Sequence, residues 1–166
     1  MKKILFLSFF LVALFACNKS DTTSTTAPTL DKAAPEITLN DANGTAISLS
    51  SLKGKVVIVS FWASWCPYCR TDSPNLVKLY NKYKDKGLDV YSVSLDTNKT
   101  DWQAAVKKDG LVWANHVSDL KKWNSPTVAT YKVEATPHKL LLDKEGIIRV
   151  IGFETSMEAE VEKWLK

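Results

Sequence analysis

An apolar run, Val56-Val57-Ile58-Val59-Ser60-Phe61-Trp62, ends shortly before two cysteines in Trp65-Cys66-Pro67-Tyr68-Cys69. Continuous apolarity over that length, bounded by Gly54 and by the cysteines, predicts a strand buried on both faces. From Pro67 onward the chain reads as a helix, so Cys66 falls at a strand-to-helix junction, at the helix N-terminus. Unpaired N–H groups and the helix dipole favour negative charge there. Thiolate is the reactive form of cysteine, so this position activates Cys66. Cys69 lies one turn further on, within reach of a mixed disulfide formed at Cys66. The pair is built to cycle between dithiol and disulfide.

The 166 residues suffice for one domain with a core, and six Trp, five Tyr and six Phe supply bulky apolar surface for it. The formal charge is +4, of which Lys2 and Lys3 account for half. With no clustered basic stripe, nucleic acid is not expected as a partner. Ile37-Thr38-Leu39 and Ala46-Ile47-Ser48-Leu49 alternate in polarity around Asn43-Gly44, which favours a tight turn and predicts an N-terminal hairpin. Further strands are predicted over 88–95, 138–142 and 147–151. Helices are predicted over 67–86, with Pro67 in its first turn, Gly87 as its C-terminal cap and a kink at Pro74, and over 99–108. The second starts at Thr100 or Asp101 and stops at Gly110. Leu76, Leu79, Tyr80 and Tyr83 give the first helix one buried face. Residues 111–117 read as short and irregular or extended, and 119–131 as one helix or two short ones. Thr155-Ser156-Met157-Glu158 looks like a capping box before a final amphipathic helix carrying Met157, Val161, Trp164 and Leu165. This order implies a mixed sheet with helices on both faces.

Lys2-Lys3 and the uncharged run 4–16 suit a secretory signal; the run is shorter than the roughly 20 residues of a membrane span. Leu14-Phe15-Ala16-Cys17 resembles a bacterial lipobox, in which the cysteine becomes the lipid-modified first residue, although Phe15 is bulkier than usual there. On this reading 1–16 is a lipoprotein signal peptide, and Cys17 is the lipidation site. Residues 17–34, rich in Ser, Thr, Ala and Asp, form a flexible tether, and 35–166 fold. The reading also accounts for the odd cysteine. A plain secretory peptide with an incidental cysteine is the alternative.

Three stretches together resemble the thioredoxin superfamily in its exported TlpA/ResA-like branch: Ala34 to Leu39, Leu52 to Arg70 and Val133 to Gly146. A lone CxxC would be weak. Phe-Trp-Ala-x-Trp before it and Thr-Pro, a strand and Asp-x-x-Gly after it make the match specific. The resemblance implies an α/β fold, a thioredoxin-like three-layer α/β/α arrangement with a central mixed sheet and an added N-terminal β-hairpin. It also implies a cis Pro137 abutting the cysteines, with the Thr136 backbone exposed beside Cys66 for an extended client segment. Trp65, Pro67, Tyr68 and Thr136 are then the client-binding residues, Trp65 either as an exposed platform or packed on the helix. The Pro67-Tyr68 dipeptide helps set the redox poise.

Cytoplasmic thioredoxins carry a buried, proton-carrying Asp where this chain has Ser60. The acid must come from elsewhere. Asp96 is the nearest candidate, or else a cap or turn residue before the helix at Lys99; Glu134 is the second, or else solvent-exposed. Arg70 either supports the thiolate or is solvated. His138 follows Pro137 and either tunes the thiolate or merely starts a strand. One CxxC with two scattered histidines, His116 and His138, does not make a structural zinc site, so neither metal nor cofactor is expected. The implied function is a thiol–disulfide oxidoreductase, anchored by lipid in the cell envelope and facing the periplasm. Cys66 attacks and Cys69 resolves. The branch implies the reducing direction toward exported client proteins with disulfides, as in cytochrome c maturation. In an oxidising compartment that calls for a membrane dithiol electron donor. A monomer is expected. Disulfide-forming oxidant or isomerase is the alternative. A thiol peroxidase is opposed by Ala63, where peroxiredoxins carry Thr. A non-enzymatic module is opposed by the two intact thiols.

Overall fold

The run from Val56 to Trp62 forms a strand buried at every residue, at the centre of a five-stranded sheet, as the lack of a polar face requires. The computed structural model describes residues 27–152 and 157–166. The signal peptide, Cys17, the tether up to residue 26 and the capping-box residues Thr155 and Ser156 lie outside them. In chain order the elements are β1 (Thr38–Asn40), β2 (Ala46–Ser48), β3 (Val56–Trp62), α1 (Pro67–Tyr83), β4 (Leu88–Ser94), α2 (Lys99–Lys108), β5 (Asn115–Val117), α3 (Pro126–Tyr131), β6 (His138–Leu142), β7 (Ile148–Ile151) and α4 (Met157–Leu165). β1 and β2 pair antiparallel as a separate small sheet. The main sheet has the order β5-β4-β3-β6-β7. β3 runs parallel to β4 and β4 to β5, while β6 runs antiparallel to β3 and β7. A mixed sheet flanked by helices, with an added hairpin, is the thioredoxin-like architecture expected.

The hairpin turn is closed by Asp41, whose Oδ1 accepts the N–H groups of Asn43 and Thr45, each at 2.8 Å. Gly44 supplies the positive φ, +86°. Pro74 lies inside α1 and offers no N–H to the Arg70 carbonyl, yet the helix runs on to Tyr83. Its last turn tightens to a 3-10 helix at Lys84–Lys86, closed by left-handed Gly87. Leu76 and Tyr83 are buried on α1, and Leu79 and Tyr80 pack partly buried against the same core.

Two expectations need correction. α2 is capped by neither Thr100 nor Asp101. Asn98 Oδ1 accepts both of their N–H groups, at 2.8 and 3.3 Å. Part of the stretch read as tether also belongs to the fold: Ala33 bridges Ile147, the Asp31 N–H bonds the Ile148 carbonyl at 2.9 Å, and the Asp31 carboxylate pairs with Arg149 at 2.5 Å. The segment 119–131 resolves into a 3-10 turn at Lys122–Asn124 and α3. No helix among the described residues is long and apolar enough to cross a membrane.

Candidate active site

β3 ends at Trp62, and Ala63-Ser64-Trp65 turn the chain so that Cys66 becomes the N-cap of α1, with Pro67 in its first turn. Cys66 and Cys69 form a disulfide with Cα atoms 5.3 Å apart, and both are buried. The Cys69 N–H points at Cys66 Sγ, 3.1 Å away. The helix N-terminus therefore donates to the Cys66 sulfur, where it favours negative charge. Across the site the Thr136–Pro137 bond is cis, and the Thr136 carbonyl oxygen stands 3.5 Å from Cys66 Sγ. Pro67, Tyr68 and Trp65 are exposed beside the sulfurs, and Tyr68 keeps 78 % of its surface in water. The sulfurs are thus covered, while the residues around them are open.

Asp96 is buried just after β4, but it does not cap α2. Its carboxylate accepts the Ser64 N–H at 3.1 Å, the Ser64 hydroxyl, and the Ser94 hydroxyl at 2.7 Å. It ties the end of β4 to the turn that precedes Cys66. Arg70 is neither solvated nor directed at the sulfurs. Its Nη2 donates to Asp109 Oδ1 at 2.6 Å, its Nε to Asp109 Oδ2, and its Nη1 to the Ser64 carbonyl at 3.1 Å. The hydrogen bond to Asp109 raises the Arg70 pKa above its ordinary value. Glu134 is exposed.

A cavity of about 10 Å³ lies under Cys69, lined among others by Ser60, Asp72, Trp113 and Pro137; it is on the scale of a single water. Asp72 is three residues past Cys69 on α1, hence on the same side of the helix. It pairs with Lys139, whose side chain is only 7 % exposed. Lysine is rarely buried without a partner. In register, Lys139 stands opposite Ser60. Sequence reasoning points to Asp96 and Glu134 and passes over this pair. The available signals were the three-residue spacing from Cys69 and a lysine within the apolar run of β6.

His138 sets its ring edge-on to Phe61, centroids 6.0 Å apart, and burial lowers its pKa. His116 lies elsewhere, stacked on Trp113 at 5.4 Å, with Nε2 donating to the Leu111 carbonyl at 3.1 Å. Burial brings its pKa down to about 4, against the raising effect of its backbone contacts. Among the described residues no group of three or more His, Cys, Asp or Glu side chains is placed to hold a metal ion.

Comparison with known proteins bears on this constellation. The AhpC/TSA family model matches residues 30–151. The thiol-disulfide oxidoreductase ResA of Bacillus anthracis is 33 % identical over 135 residues, covering 79 % of this chain and 75 % of the relative. ResA of Bacillus subtilis is 29 % identical over 119 residues, covering 71 % and 64 %. Among solved structures, the thioredoxin domain of a thiol-disulfide oxidoreductase from Bacteroides vulgatus matches with a TM-score of 0.76 and 35 % identity, over 84 % of this chain and 100 % of that one. A thiol:disulfide interchange protein from Bacteroides sp. matches with a TM-score of 0.71 and 36 % identity, over 83 % and 91 %.

Proposed function

The chain belongs to the AhpC/TSA family and is a thiol–disulfide oxidoreductase of the thioredoxin superfamily, and from that premise we propose that Cys66 and Cys69 reduce disulfides in exported client proteins. The observation that carries this reading is the buried cysteine pair at the start of α1, with the Cys69 N–H directed at Cys66 Sγ. In the reduced protein the Cys66 thiolate attacks one client sulfur. The client S–S bond breaks, and its electron pair leaves with the second client sulfur, which takes up a proton. The Cys69 thiol loses its proton to Asp72 across the cavity that both line. The Cys69 thiolate then attacks Cys66 Sγ, releases the first client sulfur and closes the Cys66–Cys69 disulfide. A membrane dithiol donor restores the reduced pair. The client main chain lies along Thr136, with Trp65, Pro67 and Tyr68 as its side-chain contacts. Asp96 holds the Ser64 turn rather than carrying the proton. The protein works on the periplasmic side of the cell envelope, anchored by lipid at Cys17, as a monomer.

The test is the equilibrium reduction potential of the Cys66–Cys69 pair in redox buffers. A value near thioredoxin's, about −270 mV, is expected; a value near about −120 mV overturns the reducing direction. Cys69→Ser is expected to accumulate a mixed disulfide with a client, and Cys66→Ser is not. The opposite pattern reverses the roles of the two cysteines.

A further inference from the structure

Beside the cysteines the exposed Trp65 is one part of a larger open aromatic surface. Trp65 is 44 % exposed and Trp123 40 %. Their rings meet edge to face, centroids 6.2 Å apart. Lys122 Nζ stands 4.9 Å from the centre of the Trp65 ring. Trp65 precedes Cys66 directly, whereas Lys122 and Trp123 come from the 3-10 turn before α3, far away in sequence.

That turn is held in an unfavourable backbone conformation. Leu120 and Lys122 both have positive φ, +58° and +54°, a region that costs a non-glycine residue energy and that recurs at functional sites. The surroundings fix it there. Leu120 packs against the core. Ser118 Oγ accepts the Leu120 N–H at 3.0 Å and donates to the Ser94 carbonyl at 2.8 Å. Asp119 Oδ1 accepts the Lys121 N–H at 3.1 Å. The result is two tryptophans held against each other in water, next to the nucleophile. The exposed charges on the turn itself are Lys121 and Lys122, while Asp119 is engaged with the backbone.

Cys66 is only 3 % exposed. Trp65 directly precedes Cys66, so residues flanking a client disulfide that reaches Cys66 come close to this surface. We propose that Trp65, Trp123 and Lys122 form a recognition notch for the client, beyond the Trp65 and Thr136 contacts of the exchange itself. The notch takes an aromatic side chain close in sequence to the client cysteine, with an acidic residue beside it. The aromatic ring gains an edge or face contact with the tryptophans. The acid answers the Lys122 ammonium, which already lies against the Trp65 ring. This inference rests on the reading of Cys66 as the sulfur that receives the client.

The test uses the full chain, reduced beforehand, and synthetic disulfide peptides that differ only in two residues flanking the cystine: Trp-Asp, Ala-Asp, Trp-Lys and Ala-Ala. Hydroxyethyl disulfide, which has no flanking residues, reports the exchange alone. The second-order rate constant for oxidation of the reduced protein by the Trp-Asp peptide is expected about tenfold above that for Ala-Ala, the scale of one aromatic contact plus one rim charge. In Trp123→Ala the ratio of Trp-Asp to Ala-Asp falls toward one, and Trp123→Phe keeps it. In Lys122→Glu the preference between Trp-Asp and Trp-Lys reverses. Equal rates for all four peptides with the unaltered protein overturn the notch and leave the oxidoreductase reading standing. Ratios unchanged in both Trp123→Ala and Lys122→Glu overturn it as well. If neither the peptides nor hydroxyethyl disulfide react, the reading of Cys66 fails, and the notch with it.

Discussion

Lys139 gives up nearly all contact with water and pairs with the carboxylate of Asp72. A buried pair contributes little net stability, but removing one member strands the other. Asp72 keeps 29 % of its side chain in water, so the stranded charge is partly relieved. Lys139→Met is expected to cost about 2 kcal/mol, below the ~3–5 kcal/mol of a fully buried pair, and adding Asp72→Asn should restore most of it. Urea unfolding of the two single variants and the double variant measures the coupling. The same Asp72→Asn variant checks the proton step. If Asp72 takes the Cys69 proton, resolution of the mixed disulfide slows about 10²-fold at neutral pH while the first attack by Cys66 keeps its rate. An unchanged resolution rate removes Asp72 from that role.

At the scale of elements, the start of α2 depends on a single side chain. Asn98 Oδ1 satisfies the N–H groups of Thr100 and Asp101. Asn98→Ala is expected to lower stability by about 1 kcal/mol, seen as a lower urea midpoint at an unchanged m-value; Thr100→Ala should change little. The choice of cap was hidden in the sequence because Asn98, Thr100 and Asp101 are all of capping type. Only the backbone decides which of them takes the extended conformation. Elements with a strong local pattern were legible. β3, β4, β6 and α2 fall within a residue of their expected limits, since apolar period and flanking breakers such as Gly54, Gly87 and Gly110 set them locally. β5 was legible only as part of a stretch, 111–117, read as irregular or extended. It is three residues long and exists because Tyr91 to Val93 of β4 pair with Asn115 to Val117. The same divide runs through the site. Cys66 and Cys69 announce themselves by spacing and context. Asp72 with Lys139, and Trp65 with Trp123, meet only because β6 lies beside β3 and the turn before α3 folds back on the start of α1. Those are long-range facts that no local window contains.

The molecule as a whole carries a pH dependence set by its two histidines. His116 keeps its ring neutral in the fold, with a pKa of about 4, whereas in the unfolded chain it titrates near about 6.5. Burial also lowers the pKa of His138. Between these limits the unfolded chain binds protons that the folded protein refuses. Stability therefore falls as pH drops from about 6.5 toward 4, and the His116 share stops growing below its folded pKa. The steepest slope from one such group is about 1.4 kcal/mol per pH unit. Asp143 acts in a separate window. Burial would raise its pKa, but the N–H groups of Ile147 and Glu145 and the Arg149 guanidinium outweigh it and hold the pKa below 3.8, so its contribution is lost only in stronger acid. Unfolding the oxidised protein keeps the cysteines out of the titration. The unfolding free energy from urea titrations is expected to fall between pH 7 and pH 4 by about 2–3 kcal/mol in all, scaled from His116 with a smaller share from His138. In His116→Gln, which keeps an N–H for the Leu111 carbonyl, most of that fall should disappear. A slope that survives the substitution in full would place the acid sensitivity in His138 or the carboxylates and leave His116 as packing against Trp113 alone.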